Sequence, residues 1–292
     1  MQNGAGRRGH AMLIQILNGL VYGGMLYIVS VGLVLIFGLR RVVNFAHGGL
    51  YMLGAYLGFA AGLYFGFWGG LVVAVIMMAL FGVLLDYAVF RPLQDKDHMT
   101  TVLVTFGILL VLEDMVHMIW GADTISVAMP ALFAGTVDIS GSPFPIYRLL
   151  VIGVAIFVVL GLTLWLRHSR AGLYVRASSV DALTTGMQGV DTERLSLAVV
   201  GLGTALAGLS GVIASPLMAL SPAMGSSVLI ESFIVVVIGG LGSFSGAFFA
   251  ALVIGQVHNL GIVYLPNVSS MLPLLLMVVV LILKPSGFAR SH

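Results

Sequence analysis

The stretch "SFIVVVIGGLGSFSGAFFAALVIGQVHNLGIVYLPNVSSMLPLLLMVVVLIL", residues 232–283, has no Asp, Glu, Lys or Arg in 52 positions. One helix crossing a bilayer needs about 20 apolar residues, so this run holds more than a single crossing. Two further charge-free runs, 42–85 with 44 residues and 195–230 with 36, repeat the pattern. Across all 292 residues, 60% are hydrophobic and 8% charged. An ordinary soluble domain carries about 25% charged residues, and this chain could not cover a water-facing surface with so few. The composition specifies a polytopic membrane protein and excludes a soluble enzyme. The absence of Cys removes disulfides, thiol chemistry and Cys metal sites. A net charge of +2 is too small and too scattered to argue for nucleic acid.

Outward from that stretch, apolar spans fall at 11–38, 48–66, 69–90, 101–120, 147–166, 195–215, 244–263 and 270–284, with a shorter one at 228–241. No alternating polarity suggests a barrel, and hydrocarbon leaves an unpaired backbone unsatisfied, so the spans are expected to be helices. The expected fold is all-α, with about eight full transmembrane helices and one short broken or re-entrant helix. The first span, preceded by a short polar segment 1–10, is longer than a signal-peptide core and reads as retained. Nine crossings place Arg40, Arg41, Arg91, Lys96, Arg167, Arg170, Arg176, Arg194, Lys284 and Arg290 on one side, and Arg7, Arg8 and Arg148 on the other. The basic side reads as cytoplasmic, which puts the C-terminus there and the N-terminus outside.

Two polar segments interrupt the spans. Residues 121–146, with Pro130, Pro143 and Pro145, suit an outer loop. Residues 167–194 hold Arg167, Arg170, Arg176, Asp181, Asp191, Glu193 and Arg194. There Ser178 or Ser179 is expected to cap a short helix ending near Gly186 or Gly189. It is either a plain surface loop or a docking helix for a cytoplasmic partner.

Glycine is the other signal. Gly54, Gly58, Gly62, Gly66 and Gly70 recur every fourth residue, as do Gly203, Ala207 and Gly211, then Gly242, Gly246 and Ala250. Such ridges let helices approach closely; a backbone-lined pore is the other reading. Gly239, Gly240, Gly242 and Ser243 cluster between two apolar stretches, where a helix break fits. No Gly-Lys-Ser/Thr follows them, so this is not a nucleotide loop.

Ionisable residues inside spans are functional candidates by default. Asn44 and His47 begin the second span, Glu113 and Asp114 lie toward the end of the fourth, and Glu231 opens the short helix. At a helix N-terminus the macrodipole would stabilise Glu231, which competes with substrate contact. Asp86 is expected to pair with Arg91. Glu113 shares a helix face with His117, but no third ligand is evident, and a hydrated vestibule is a better reading than a metal site. No nucleophile or zinc motif suggests catalysis.

The segment 17–59, with Asn44-Phe-Ala-His-Gly48 and Tyr51-Met-Leu-Gly-Ala-Tyr56, resembles the opening of the branched-chain amino-acid (Liv-type) ABC importer permeases. Arg91-Pro92, Ser169-Arg170-x-Gly172, Arg176-Ala177, and Gly239-Gly240-x-Gly242-Ser243 with Gly246-Ala247 extend the resemblance over 12–287. Lacking a long polar extension, the chain is similar to the LivH-like half rather than the LivM-like half. The resemblance implies one permease domain over 1–292, multi-pass in a bacterial inner membrane, with no cofactor of its own. It implies a second LivM-like permease, two cytoplasmic ATPase subunits that bind the ATP, an extracytoplasmic binding protein, and surrounding lipid. It also implies a coupling helix at about Ser178–Gly189 within 167–194, with Arg176, Ser178, Asp181, Thr185, Gly186 and Gly189 toward the ATPase. The translocation path would draw on Asn44, His47, Glu113, Asp114, Glu231, Gly239, Gly240, Gly242 and Ser243. Family members commonly carry amides where this chain has Glu113 and Asp114, and often a Lys near Glu231. The implied cargo is therefore branched-chain amino acids or related small polar solutes such as urea, amides and carboxylates. An ATP-independent transporter or channel is the competing reading.

Overall fold

The computed structural model describes residues 3–94, 96–139, 141–284 and 287–288. Arg290 and the side chains of Arg7 and Arg8, used above for orientation, lie outside that description. Among the described residues, seven helices are long and apolar enough to cross a membrane, and a shorter apolar helix joins them. The molecule is a polytopic all-α membrane protein.

Helix α1 (Asn3–Arg40) takes in both the polar start and the first span. It ends at Arg41, whose φ of 54° breaks the helix. Helix α2 (Ala46–Leu85) contains both the second and third expected spans. The reason is Gly66, at φ 69° and ψ 173°, where the chain turns back. A straight helix would put Gly54 and Met78 about 36 Å apart, yet both touch Gly208. Gly70 likewise packs on Gly58 and Gly62. The pair is thus a hairpin, continued by a π-helical turn over Asp86–Phe90.

Helix α3 (His98–Trp120) is capped by Asp97, which accepts from the Met99 amide. It leads to a loop that holds a hairpin of β1 (Thr136–Ile139) and β2 (Ser142–Pro145). That small sheet was not foreseen; each strand has only four residues, too short for a period to show. Helix α4 (Ile146–His168) then returns to a charged elbow of α5 (Arg170–Val180) and α6 (Ala182–Met187). The chain finishes with α7 (Thr192–Ala214), α8 (Met224–Gly239), α9 (Phe244–Tyr264) and α10 (Leu272–Leu283).

Helices α1 and α7 are the most buried, whereas α3, α4 and α10 show most of their apolar surface outward. Outward residues such as Leu103, Phe157 and Ile282 suit a lipid-facing surface. The glycine ridges resolve into specific close approaches. Gly54 meets Gly208 and Gly58 meets Val212, so α2 seats on α7. Gly203 meets Gly32 and Ile36 of α1, while Gly211 meets Tyr51 and Ala55. Gly19 and Gly23 of α1 take Gly255 and Ala251 of α9. Packing therefore accounts for most of these positions, while Gly66 and Gly242 serve turns.

The expected Asp86–Arg91 pair is present but gains a closer partner, and the place of Glu231 is corrected. Asp86 pairs chiefly with Arg40, whose Nη2 and Nε reach Oδ1 at 2.7 and 3.1 Å. Arg91 Nε stands 3.7 Å from Oδ2, and its Nη1 lies 3.3 Å from exposed Glu193. The end of α1 returns to the end of the α2 hairpin, a juxtaposition of residues 46 positions apart. The short helix begins at Met224, not at 228. Glu231 therefore lies two turns inside α8, away from the N-terminal dipole. With 16 residues, α8 is about 24 Å long, still short of the roughly 30 Å hydrocarbon core.

Candidate functional site

A cavity of about 240 Å³ opens where α1, α2, α7 and α8 diverge. From α1 it is lined by Tyr22, Met25, Leu26 and Val29, from α2 by Tyr51 and from α7 by Ser210. The rest of the wall comes from Met218, Ala219 and Ser221 and from Met224, Ser227, Val228 and Glu231 of α8. The linker from α7 to α8 is fixed by a bridge in which Ile125 and Leu220 exchange amide hydrogen bonds at 3.0 and 2.8 Å.

Glu231 is the acid of this cavity. Tyr22 donates its hydroxyl to Glu231 Oε2 at 2.7 Å. Its ring is stacked flat on His258 of α9, centroids 4.1 Å apart at 5°. Ser210 donates to the Met25 carbonyl at 3.1 Å, which ties α7 to α1 at the same level. Tyr22, Tyr51, Ser210, Ser221, Ser227 and His258 were missed from sequence. Tyr22 and His258 did leave a signal, since each is a polar ring in a span otherwise free of charge.

The other expected path residues stand apart from this lining. Asn44 and His47 are fully buried at the break between α1 and α2. Asn44 Oδ1 accepts from the Ala46 amide at 3.0 Å, and His47 Nε2 donates to the Val29 carbonyl at 2.9 Å. Val29 lies eleven residues before Arg40, about 16 Å along the helix. Residues 41–44 belong to no regular element and lead the chain back along α1. Helix α2 thus starts at the level of Val29, and the Asn44-to-Gly48 motif holds that start in place. Gly48 there packs on Gly225 of α8.

Glu113 Oε1 accepts from the Ser226 amide at 3.0 Å, so an α3 carboxylate serves the open N-terminal turn of α8. Asp114 and His117 are exposed on α3. Gly239, Gly240, Gly242 and Ser243 form the tight turn from α8 to α9. Gly239 packs on Gly246 and Ala247, and Ser243 Oγ accepts from the Gly246 amide at 3.1 Å to cap α9. The Phe288 amide donates to the Ile238 carbonyl at 2.8 Å and lays the chain end against this turn.

The expected coupling segment is an elbow of two helices rather than one. Ser169 caps α5 through the Gly172 amide at 2.8 Å. The break falls at Asp181, whose Oδ1 accepts from the Leu183 and Thr184 amides at 3.0 Å each and whose Oδ2 accepts from the Thr184 hydroxyl. These bonds hold the Asp181 carboxyl below the usual carboxylate range, the Thr184 hydroxyl first. Ser178, proposed as a cap, is instead buried inside α5. Thr185 is buried and donates to the Asp181 carbonyl at 2.7 Å. Arg176, Gly186 and Gly189 are exposed. The outward face carries Val180, Leu183 and Met187, each more than 70% exposed, with Arg170 and Arg176 on the helix before it.

A helical membrane body, a cavity between its helices and an exposed, capped elbow suit a membrane transport subunit. The family model described as branched-chain amino acid transport system, permease component, matches residues 15–281, and the chain belongs to that family. It is 27% identical to the high-affinity branched-chain amino acid transport system permease protein LivH of Salmonella typhimurium, over 94% of each chain. It is 26% identical to BraD of Pseudomonas aeruginosa, again over 94% of each. A probable LivH of Methanocaldococcus jannaschii is 25% identical over 96% of this chain and 92% of its own. These relatives are transport permease subunits, not enzymes.

Proposed function

We propose that this chain is the LivH-like permease subunit of an ATP-binding-cassette importer that moves branched-chain amino acids or related small polar solutes into the cytoplasm. The ATP is hydrolysed by two separate cytoplasmic subunits. A LivM-like permease completes the membrane pair, and an extracytoplasmic binding protein delivers cargo. The observation that carries the reading is the α5–α6 elbow. Apolar side chains at Val180, Leu183 and Met187 face outward beside Arg170 and Arg176, in a segment with no lipid-spanning character. Such a surface suits insertion into a groove of an ATPase, whose closure would then move α5 and the spans attached to it. The charge distribution supports a cytoplasmic position for this elbow, and with it an inner-membrane protein whose C-terminus is cytoplasmic.

The test is reconstitution of the chain with its partner subunits in liposomes. Cargo-stimulated ATP hydrolysis and ATP-dependent uptake are expected. Leu183→Arg or Asp181→Lys should sever hydrolysis from uptake while the spans stay folded. Uptake by this chain alone, driven by an ion gradient, would overturn the reading in favour of a secondary transporter.

A further inference from the structure

Among the described residues three acids in the helices are buried or partly buried, and the structure supplies a partner for the charge of two. Asp86 has Arg40 at 2.7 Å, and Glu113 sits on the N-terminal turn of α8 through the Ser226 amide. Glu231 has neither. Its Oε2 accepts one hydrogen bond, from the neutral Tyr22 hydroxyl. Among the described residues no Lys, Arg or His forms an ion pair with it, and none lines its cavity. A carboxylate drawn out of water costs several kcal/mol, roughly, unless a cation or further donors compensate. The geometry leaves that place open inside the cavity. Tyr22, braced flat against His258, holds one oxygen of Glu231 while the carboxylate borders a space walled by Met25, Leu26, Val29 and Val228.

The volume sets the size of what enters. At about 30 Å³ per water, 240 Å³ holds roughly eight waters, hence a solute of a similar number of non-hydrogen atoms. An acid on one wall, and aliphatic or thioether groups interspersed with the hydroxyls of Tyr51, Ser210, Ser221 and Ser227 on the others, suit a protonated amine with a short apolar body. We propose that Glu231 and Tyr22 form a cation subsite in the translocation path, where the cargo's ammonium docks on the Glu231 carboxylate and its apolar body lies on Met25, Leu26 and Val29. This rests on the permease reading and adds that the site recognises the ammonium, so that an amine lacking a carboxylate binds as well as an amino acid does.

The test reads the cavity without requiring transport. The full chain in lipid nanodiscs is treated with dicyclohexylcarbodiimide, which modifies carboxyl groups in apolar surroundings, and adducts at Glu231 and Glu113 are followed by peptide mass spectrometry. Isopentylamine and leucine, each at about ten times its Kd, should slow modification of Glu231 by about tenfold, while Glu113 is unaffected. 4-Methylpentanoate and urea should not. Equal protection by 4-methylpentanoate, or none by isopentylamine, would overturn the proposal. In the assembled transporter, Glu231→Gln should cut leucine uptake by about tenfold or more, with Glu231→Asp recovering part of it; unchanged uptake in Glu231→Gln would count equally against the subsite. Failure of the wild-type assembly to couple uptake to ATP would instead overturn the permease reading and leave the labelling result standing.

Discussion

Removal of the Asp86 side chain tests how the basic end of the molecule is held. Asp86 is fully buried, and its Oδ1 accepts from Arg40 Nη2 at 2.7 Å, Arg40 Nε at 3.1 Å and Ser196 Oγ at 2.9 Å. One carboxylate oxygen thus joins α1, the α2 hairpin and α7. Asp86→Ala leaves the Arg40 guanidinium, only 10% exposed, without its counter-charge. Breaking a buried pair in that way costs about 3–5 kcal/mol. Arg40→Ala should fall in the same range, since it strands the acid instead. Ser196→Ala removes one hydrogen bond and should cost about 1 kcal/mol. Arg91→Ala should cost about 0–1 kcal/mol, because Arg91 is 3.7 Å from Asp86 and its other partner, Glu193, is exposed. Equilibrium unfolding by SDS in mixed micelles gives each value, and an Arg40→Ala/Asp86→Ala double variant completes a cycle. The double variant should regain about 2 kcal/mol or more relative to the sum of its parts. A cost for Arg91→Ala equal to that for Arg40→Ala, or additivity of the double variant, would refute the assignment.

Three further outcomes follow from the caps and turns. Glu113→Ala should destabilise the start of α8 by about 1 kcal/mol, seen as faster amide exchange at Ser226, whereas exposed Asp114→Asn should leave it unchanged. Gly189→Ala should cost about 1–2 kcal/mol because φ is +86° there; Gly186→Ala, with open space and no left-handed backbone, should be neutral by the same SDS titration. The Asp181 carboxyl is held below its ordinary value near 3.8 by Thr184. A depressed folded value means the cap's contribution is complete above the ordinary value and is lost as pH falls through the lower, folded one. Protection of the Leu183 and Thr184 amides, corrected for intrinsic exchange, should therefore be flat from pH 5 to 8 in wild type and reduced throughout in Asp181→Ala.

What could be read from sequence was what one residue can report alone. Charge-free runs longer than a bilayer crossing gave the spans. Gly at every fourth place gave the close contacts, because no side chain stands between the backbones. Pairings across the fold were less accessible. The pair of Asp86 with Arg91, five residues on, was legible, but its closer partner Arg40 was not, since nothing in the sequence brings Arg40 beside it. Glu231 was placed at a helix start because the apolar run begins at Val228; the extra turn from Met224 owes its open amides to Glu113, which is more than a hundred positions away. The turn between the spans ending at 66 and beginning at 69 was legible, and Gly66 makes it, but the ridge of equally spaced glycines does not mark which of its members pack and which one bends. At the cavity, Tyr22 and His258 are single polar rings on separate helices, and only their stacking at 4.1 Å makes them part of one site with Glu231.

The same glycines explain where that site can be. Helix α8 is held by backbone contact at both ends, Gly225 against Gly48 and Gly239 against Gly246. Between those points its side chains grow to Val228, Glu231 and Phe233, and a helix so fixed must stand off from its neighbours where they occur. Space opens at Glu231 because contact is closest on either side of it. Substituting Gly48 or Gly246 with a larger residue would lift one end of α8 and change the cavity without touching a lining residue, since a Cβ at Gly48 would meet Leu229 Cβ at 2.7 Å and one at Gly246 would meet the Gly239 carbonyl carbon at 2.8 Å. Strain at such sites is about 1–3 kcal/mol, comparable with a hydrogen bond to a charged group. The strain of such a substitution is therefore enough, in energy, to release the Tyr22–Glu231 hydrogen bond.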